Sequence, residues 1–170
     1  MENLYVKIHV GLVVLIFEDL DTGKLREHVV SIESSDIYDL AAEVEKYFDG
    51  LNPKQIANIF IERPWFSLEN SYTASKQELS NRAKKIISSQ RCFGAIRYLL
   101  YAYFPSCAVE EVSNSVAKQV AYDNSKVTKD RLISISRTFF DTYDRYSPTT
   151  ELSIGDAYTL ILYARKRFGA

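Results

Sequence analysis

The period of the apolar positions changes several times along this chain, and each change marks a boundary between elements. Leu4 to Val10 alternates polar and apolar residues, which predicts a strand with Lys7 and His9 on one face. Leu12 to Phe17 is a continuous apolar run, the pattern of a strand covered on both sides. Leu20-Asp21-Thr22-Gly23-Lys24 reads as a hairpin turn, because Gly23 supplies positive φ without steric cost. Leu25 to Ile32 then returns as a third strand, so the first third is predicted to be an antiparallel meander.

Helical spacing follows. Ser34-Ser35-Asp36 offers N-caps, and Ile37, Leu40, Ala41, Val44 and Phe48 recur at the helical period before Gly50 and Pro53. Ile56 to Ile61 is a strand, which completes a strand–helix–strand crossover. Pro64 to Thr73 is predicted as a loop carrying Trp65 and Phe66. A long helix is expected from Ala74 to Phe104, with Gly94 permitting a kink or a close helix contact and Pro105 as its stop. Cys107 to Val112 reads as a fifth strand and Ser113 to Tyr122 as a short helix. Lys126 to Tyr146 gives another helix, broken by Pro148-Thr149-Thr150. Thr150 is expected to cap a last helix through Ala164 or beyond.

The order βββαβαβ followed by helices predicts an α/β fold. Its sheet is a mixed five-stranded one, antiparallel at one edge and parallel elsewhere, with helices on both faces. No internal repeat or low-complexity segment interrupts it, and residues 1–170 are expected to form a single domain.

Composition narrows the function classes. At 170 residues and 46% apolar content the chain can bury a real core. A net charge of -1 argues against strong non-specific DNA affinity, while leaving room for a local basic stripe. Cys92 and Cys107 lack metal-type spacing and read as free thiols of a reducing compartment. The longest apolar run, Val10 to Phe17, is far shorter than the ~18 residues of a membrane span, and Met1-Glu2-Asn3-Leu4 lacks a basic leader region. The expectation is a soluble intracellular protein without membrane contact. The cytoplasm or a viral factory is the expected location, with nucleus and mitochondrion left open.

The chemistry concentrates at two places. Ile59-Phe60-Ile61-Glu62-Arg63-Pro64 is an apolar strand ending on a carboxylate, and the closing helix carries Gly155-Asp156-Ala157. Strand-end carboxylates that converge with an acid on a C-terminal helix form divalent-metal nuclease sites of the RNase H-like fold. With these elements in this order, the chain resembles the RuvC-like Holliday junction resolvases, most closely their poxvirus and mitochondrial branch. The resemblance spans nearly the whole chain and rests on the ordered set, since no single motif is specific.

That resemblance implies four acidic positions. His9, in Ile8-His9-Val10-Gly11, stands where the first metal-binding aspartate belongs, and Ser153 stands for one of two aspartates on the last helix. Glu62 and Asp156 keep the other two. They are the implied metal ligands for Mg²⁺ or Mn²⁺ in an active enzyme, with His9 as a further ligand or general base. Two-metal phosphodiester cleavage needs carboxylates that bridge or flank both ions, and a neutral imidazole cannot bridge two magnesium ions. Glu151, Glu18 and Asp19 are the nearest replacement acids, each poorly placed. Each candidate also has a plain structural reading. Glu62 could pair with Arg63, Asp156 could serve the helix dipole, and His9 could be a half-buried strand histidine.

Lys118, Lys126, Lys129 and Arg131 match a basic region of the family that can reach phosphates, and Trp65 and Phe66 could stack on exposed bases. The resemblance further implies branched DNA as a ligand and a homodimer through the long helices. Phe93, Ile96, Leu100 and Phe104 would suit either a dimer face or a core.

Three functions remain open at this point. The favoured one is a resolvase-fold pseudoenzyme that binds nucleic acid or protein in a replication, recombination or transcription complex, with a viral one expected. The second is an active crossover junction endodeoxyribonuclease with altered ligands. The third is a structural protein that binds no nucleic acid.

Overall fold

The computed structural model describes residues 1–34, 36–64 and 75–169, so Trp65 and Phe66 lie outside the described residues. Strands β1 (Glu2–His9), β2 (Leu12–Asp19) and β3 (Leu25–Ser31) form the expected meander. Two tight turns set its register. Val10-Gly11 closes the His9↔Leu12 pair with Gly11 at φ +74°, and Gly23, at φ +69°, closes the second hairpin. Helix α1 (Ile37–Asp49) starts at Asp36, whose carboxylate accepts from the Tyr38 N–H at 2.8 Å. A 3₁₀ turn, Pro53–Gln55, leads into β4 (Ile56–Arg63).

Helix α2 (Lys76–Tyr103) opens with a capping box between Ser75 and Glu78 and ends before Pro105. Strand β5 (Ala108–Ser113) and helices α3 (Asn114–Tyr122), α4 (Lys129–Phe140) and α5 (Pro148–Phe168) complete the chain. The sheet order is β3-β2-β1-β4-β5, with β1, β4 and β5 parallel. This is the mixed five-stranded α/β sheet the pattern predicts.

Two cores lie on its two faces. Leu4, Val6, Val13, Leu15, Ile59 and Ile61 pack under α1 and α2. Tyr5, Val14, Ile16 and Phe60 pack under α5, which α3 and α4 flank. Alternation along β1 therefore sends Tyr5 and Lys7 toward α5.

Several expectations need correction. The helix expected from Lys126 to Tyr146 runs only from Lys129 to Phe140, because Thr128 caps its start and Asp141 turns left-handed at φ 48°. Ser147, not Thr150, caps α5, and Pro148 opens the helix where its missing N–H is no loss. Among the described residues, a Cβ added at Gly94 would meet nothing within 4 Å, and α2 runs through it as one helix. Phe93, Ile96, Leu100 and Phe104 are buried in the first core, which resolves that face as core. No helix among the described residues is long and apolar enough to cross a membrane.

Candidate functional site

Four elements converge at the β1–β4 end of the α5 face. Parallel pairing of Val6 with Ile61 brings the next residue of each strand, Lys7 and Glu62, to the same side. On the other flank, Ser113 ends β5 and caps α3, its hydroxyl accepting from the Val116 N–H at 3.4 Å. That start places Asn114 and Lys118, four residues apart, on one face of α3. Asp156 reaches the same point from α5.

The side chains form one network. Lys7 Nζ bonds Oε1 of Glu62 and lies 3.5 Å from Oδ2 of Asp156. Lys118 Nζ lies 3.1 Å from Oδ1 of Asp156. The Asn114 amide donates to Oε2 of Glu62 at 2.9 Å and to Oδ1 of Asp156 at 3.2 Å. Glu62 and Asp156 are buried, and every one of their four oxygens faces a donor. Burial alone would lower the Lys7 pKa; the Glu62 and Asp156 carboxylates outweigh it and raise it above the ordinary lysine value. Lys7 is therefore an ammonium at neutral pH.

A divalent cation does not fit this donor set. Two ammonium groups already balance the two carboxylates, and an ion bound between the acids would meet the Lys7 charge at contact distance. Among the described residues, no group of three His, Cys, Asp or Glu side chains stands close enough to hold a metal.

The remaining candidates fall elsewhere. His9 is exposed at the end of β1, with Nδ1 3.3 Å from the Val10 carbonyl oxygen. It lines a cleft of about 450 Å³ together with Lys7, Glu62, Ser89 and Asn114. The Ser153 hydroxyl turns back along α5 to donate to the Thr149 carbonyl at 3.0 Å. Glu151 is held by Arg137 through two bonds of 2.9 Å, and Glu18 by Arg165 and Tyr5. Asp19 accepts from the Asp21 and Thr22 N–H groups of its own turn. None of these three acids reaches the cluster.

Lys118, expected from sequence as a phosphate contact, has its ammonium group in the cluster beside Asp156. Lys126, Lys129 and Arg131 lie exposed around the α3–α4 turn, Arg131 with its guanidinium 5.1 Å from the Tyr122 ring centroid. A second cleft of about 450 Å³ also touches His9 and Ser89 and is lined by Lys84, Lys85 and Ser88 of α2.

Sequence reasoning missed Lys7 and Asn114 as members of the site. The signal for Lys7 was present, since a lysine inside a strand with helices on both faces needs a buried partner.

The strand order, the last helix across the middle of the sheet, and the facing acids of β4 and α5 define the class: this is the RuvC-like Holliday junction resolvase fold of the RNase H-like type. A structure of RuvC from Thermus thermophilus superposes with a TM-score of 0.60 at 14% identity, covering 97% of this chain and 96% of that one. The same protein in complex with a Holliday junction substrate gives 0.62 at 12% identity, covering 97% and 95%. At this identity the likeness is one of fold. No family model and no curated protein matches the chain.

Proposed function

We propose that this chain is a resolvase-fold protein without metal-dependent cleavage, acting as a nucleic-acid- or protein-binding module in a DNA replication, recombination or transcription complex. One observation carries the reading: the Lys7 ammonium stands between Glu62 and Asp156, the two acids that resemblance would assign to metal. A charge-balanced cluster has no open coordination position, and a protonated lysine offers neither nucleophile nor base.

Binding is supported by the rim, not by the cluster. Lys84 and Lys85 bring positive charge beside the cleft, with the hydroxyls of Ser88 and Ser89 as uncharged donors, a lining suited to backbone phosphates. Lys126, Lys129 and Arg131 extend the basic surface beyond the α3–α4 turn. The reading includes a homodimer, for which the N-terminal half of α2 offers the exposed side chains of Leu79 and Ile87.

The test is a labelled four-way junction beside a matched duplex, in Mg²⁺ and then Mn²⁺. Junction-selective binding without cutting is expected. Metal-dependent cutting that disappears in Glu62→Gln would overturn the reading. Absence of binding to either DNA would confine the module to protein partners.

A further inference from the structure

The edge of the sheet farthest from this cluster is β3, which pairs with β2 alone among the described strands. Two bonds fix which of its backbone groups are used. Asp19 N–H donates to the Lys24 carbonyl at 3.0 Å, and Ile32 N–H donates to the Gly11 carbonyl at 3.0 Å. In an antiparallel ladder such positions recur every second residue, so Arg26, His28 and Val30 also face β2. Glu27, Val29 and Ser31 therefore turn their N–H and C=O groups outward.

That edge borders a cavity of about 810 Å³ between β3 and the outer side of α1. The wall made by β3 and the residue after it runs from His28 to Ile32, about 16 Å at ~3.3 Å per residue, which is the length of a five-residue strand. The α1 wall carries Asp39 and Glu43 with the cation Lys46, and Glu33 stands at the end of the groove just after β3. His28 stacks on Tyr47 with ring centroids 3.6 Å apart, and burial, followed by the nearby Arg26, keeps its pKa below the ordinary value, so it adds no charge at neutral pH. Among the described residues, the groove lining as a whole is thus about two negative charges in excess.

Native sheet edges are commonly blunted by charge, proline or a covering segment. Here Val29-Val30-Ser31 has no charge of its own. Arg26 lies over the Phe17 ring and pairs with Glu2, and Glu27 pairs with Arg145. The charged residues of β3 are engaged with other elements of the fold.

We propose that the β3–α1 groove is a docking site for an extended basic peptide segment of a partner protein, which adds a sixth strand to the sheet along β3. Main-chain hydrogen bonds to Glu27, Val29 and Ser31 supply affinity, as in other strand-addition complexes. Alternate side chains of the guest point toward α1, where lysine or arginine meets Glu33, Asp39 and Glu43. This site is independent of the Lys7 cluster and of any DNA bound near it.

The probe is a fluorescein-labelled hexapeptide of alternating lysine and valine, with an alternating glutamate–valine hexapeptide as control, both read by anisotropy on the full chain at low salt. The lysine peptide is expected to bind and the glutamate peptide to bind at least about tenfold more weakly. Amide exchange at Glu27, Val29 and Ser31 should slow in the complex. Ser31→Pro deletes an outward N–H from an exposed edge position and should weaken binding about tenfold. Glu43→Lys, on the exposed side of α1, should do the same without touching β3. Equal binding of both peptides, unchanged binding in both variants, or no binding of the lysine peptide would each overturn the proposal. Slowed exchange at β3 on adding four-way junction DNA instead of peptide would assign the edge to nucleic acid and also overturn it.

Discussion

The Lys7 ammonium lies 3.5 Å from Oδ2 of Asp156 while bonding Oε1 of Glu62, so one strand residue ties a neighbouring strand to the last helix. The Lys7 side chain is only 13% exposed, and the two acids are about as buried. At that depth, removing one partner of a charge network costs more than the network itself contributes, because the remaining charges stay buried without compensation.

Lys7→Met should accordingly destabilise the protein by ~3–5 kcal/mol, read from urea denaturation. It also leaves Glu62 and Asp156 facing each other, with Lys118 as the remaining paired cation among the described residues. Added Mn²⁺ should then raise the melting temperature of Lys7→Met and leave that of the parent unchanged. A parent protein whose melting point climbs with Mn²⁺ would contradict the fit argued for the cluster.

At Gly155, α5 packs directly against the backbone of α4 at Leu132. A Cβ built there would lie 2.3 Å from the Leu132 carbonyl oxygen, a backbone atom that cannot swing away. Helix propensity alone favours alanine over glycine by ~1 kcal/mol. Gly155→Ala should nonetheless destabilise by ~1–3 kcal/mol through overpacking. The sign of the change decides between the two effects.

Acid should loosen the α4–α5 pair. Hydrogen bonds from Arg137 hold the Glu151 carboxyl below the ordinary glutamate value, against the opposing effect of its burial. In the unfolded chain that group takes up a proton near pH ~4.3. Its contribution is thus present above that value and is lost as pH falls through the lower folded value. Arg137→Met should flatten this part of the stability–pH curve, measured as denaturation midpoints between pH 6 and pH 3. An unchanged slope would show that Glu151 does not sense Arg137.

Lys84→Gln and Lys85→Gln test the rim. If the cleft takes backbone phosphates, each change should weaken junction binding and lower the slope of log K against log salt by about one. The folded stability of both variants should stay within ~0.5 kcal/mol of the parent, since both lysines are exposed.

Much of this architecture was legible because it rests on local signals. The run from Leu12 to Phe17, the turn at Gly23 and the spacing of Leu40, Val44 and Phe48 each specify their element without help from distant residues. Element ends were less secure where two signals compete. Pro148 reads as a breaker in a linear scan and is a helix opener once Ser147 caps it.

The site was half legible. Glu62 and Asp156 stood out as acids at the ends of apolar elements, and the fold brings them together through Asn114 and Lys7. What a linear reading could not supply was the inter-strand register. Lys7 and His9 share one face of β1, and only the Val6–Ile61 pairing decides that the first, not the second, meets Glu62. Asn114 was invisible for a related reason, since it owes its place to the exact residue at which β5 gives way to α3.

A cation carried on residue 7 is made when the chain is made. It cannot be stripped by a chelator, exchanged for a competing ion or diluted away, and its local concentration is fixed by the length of one side chain. A domain that borrows its central charge from solution has a stability that follows the supply of that ion. This one carries its own, so the charge balance between Glu62 and Asp156 does not follow the metal status of its surroundings.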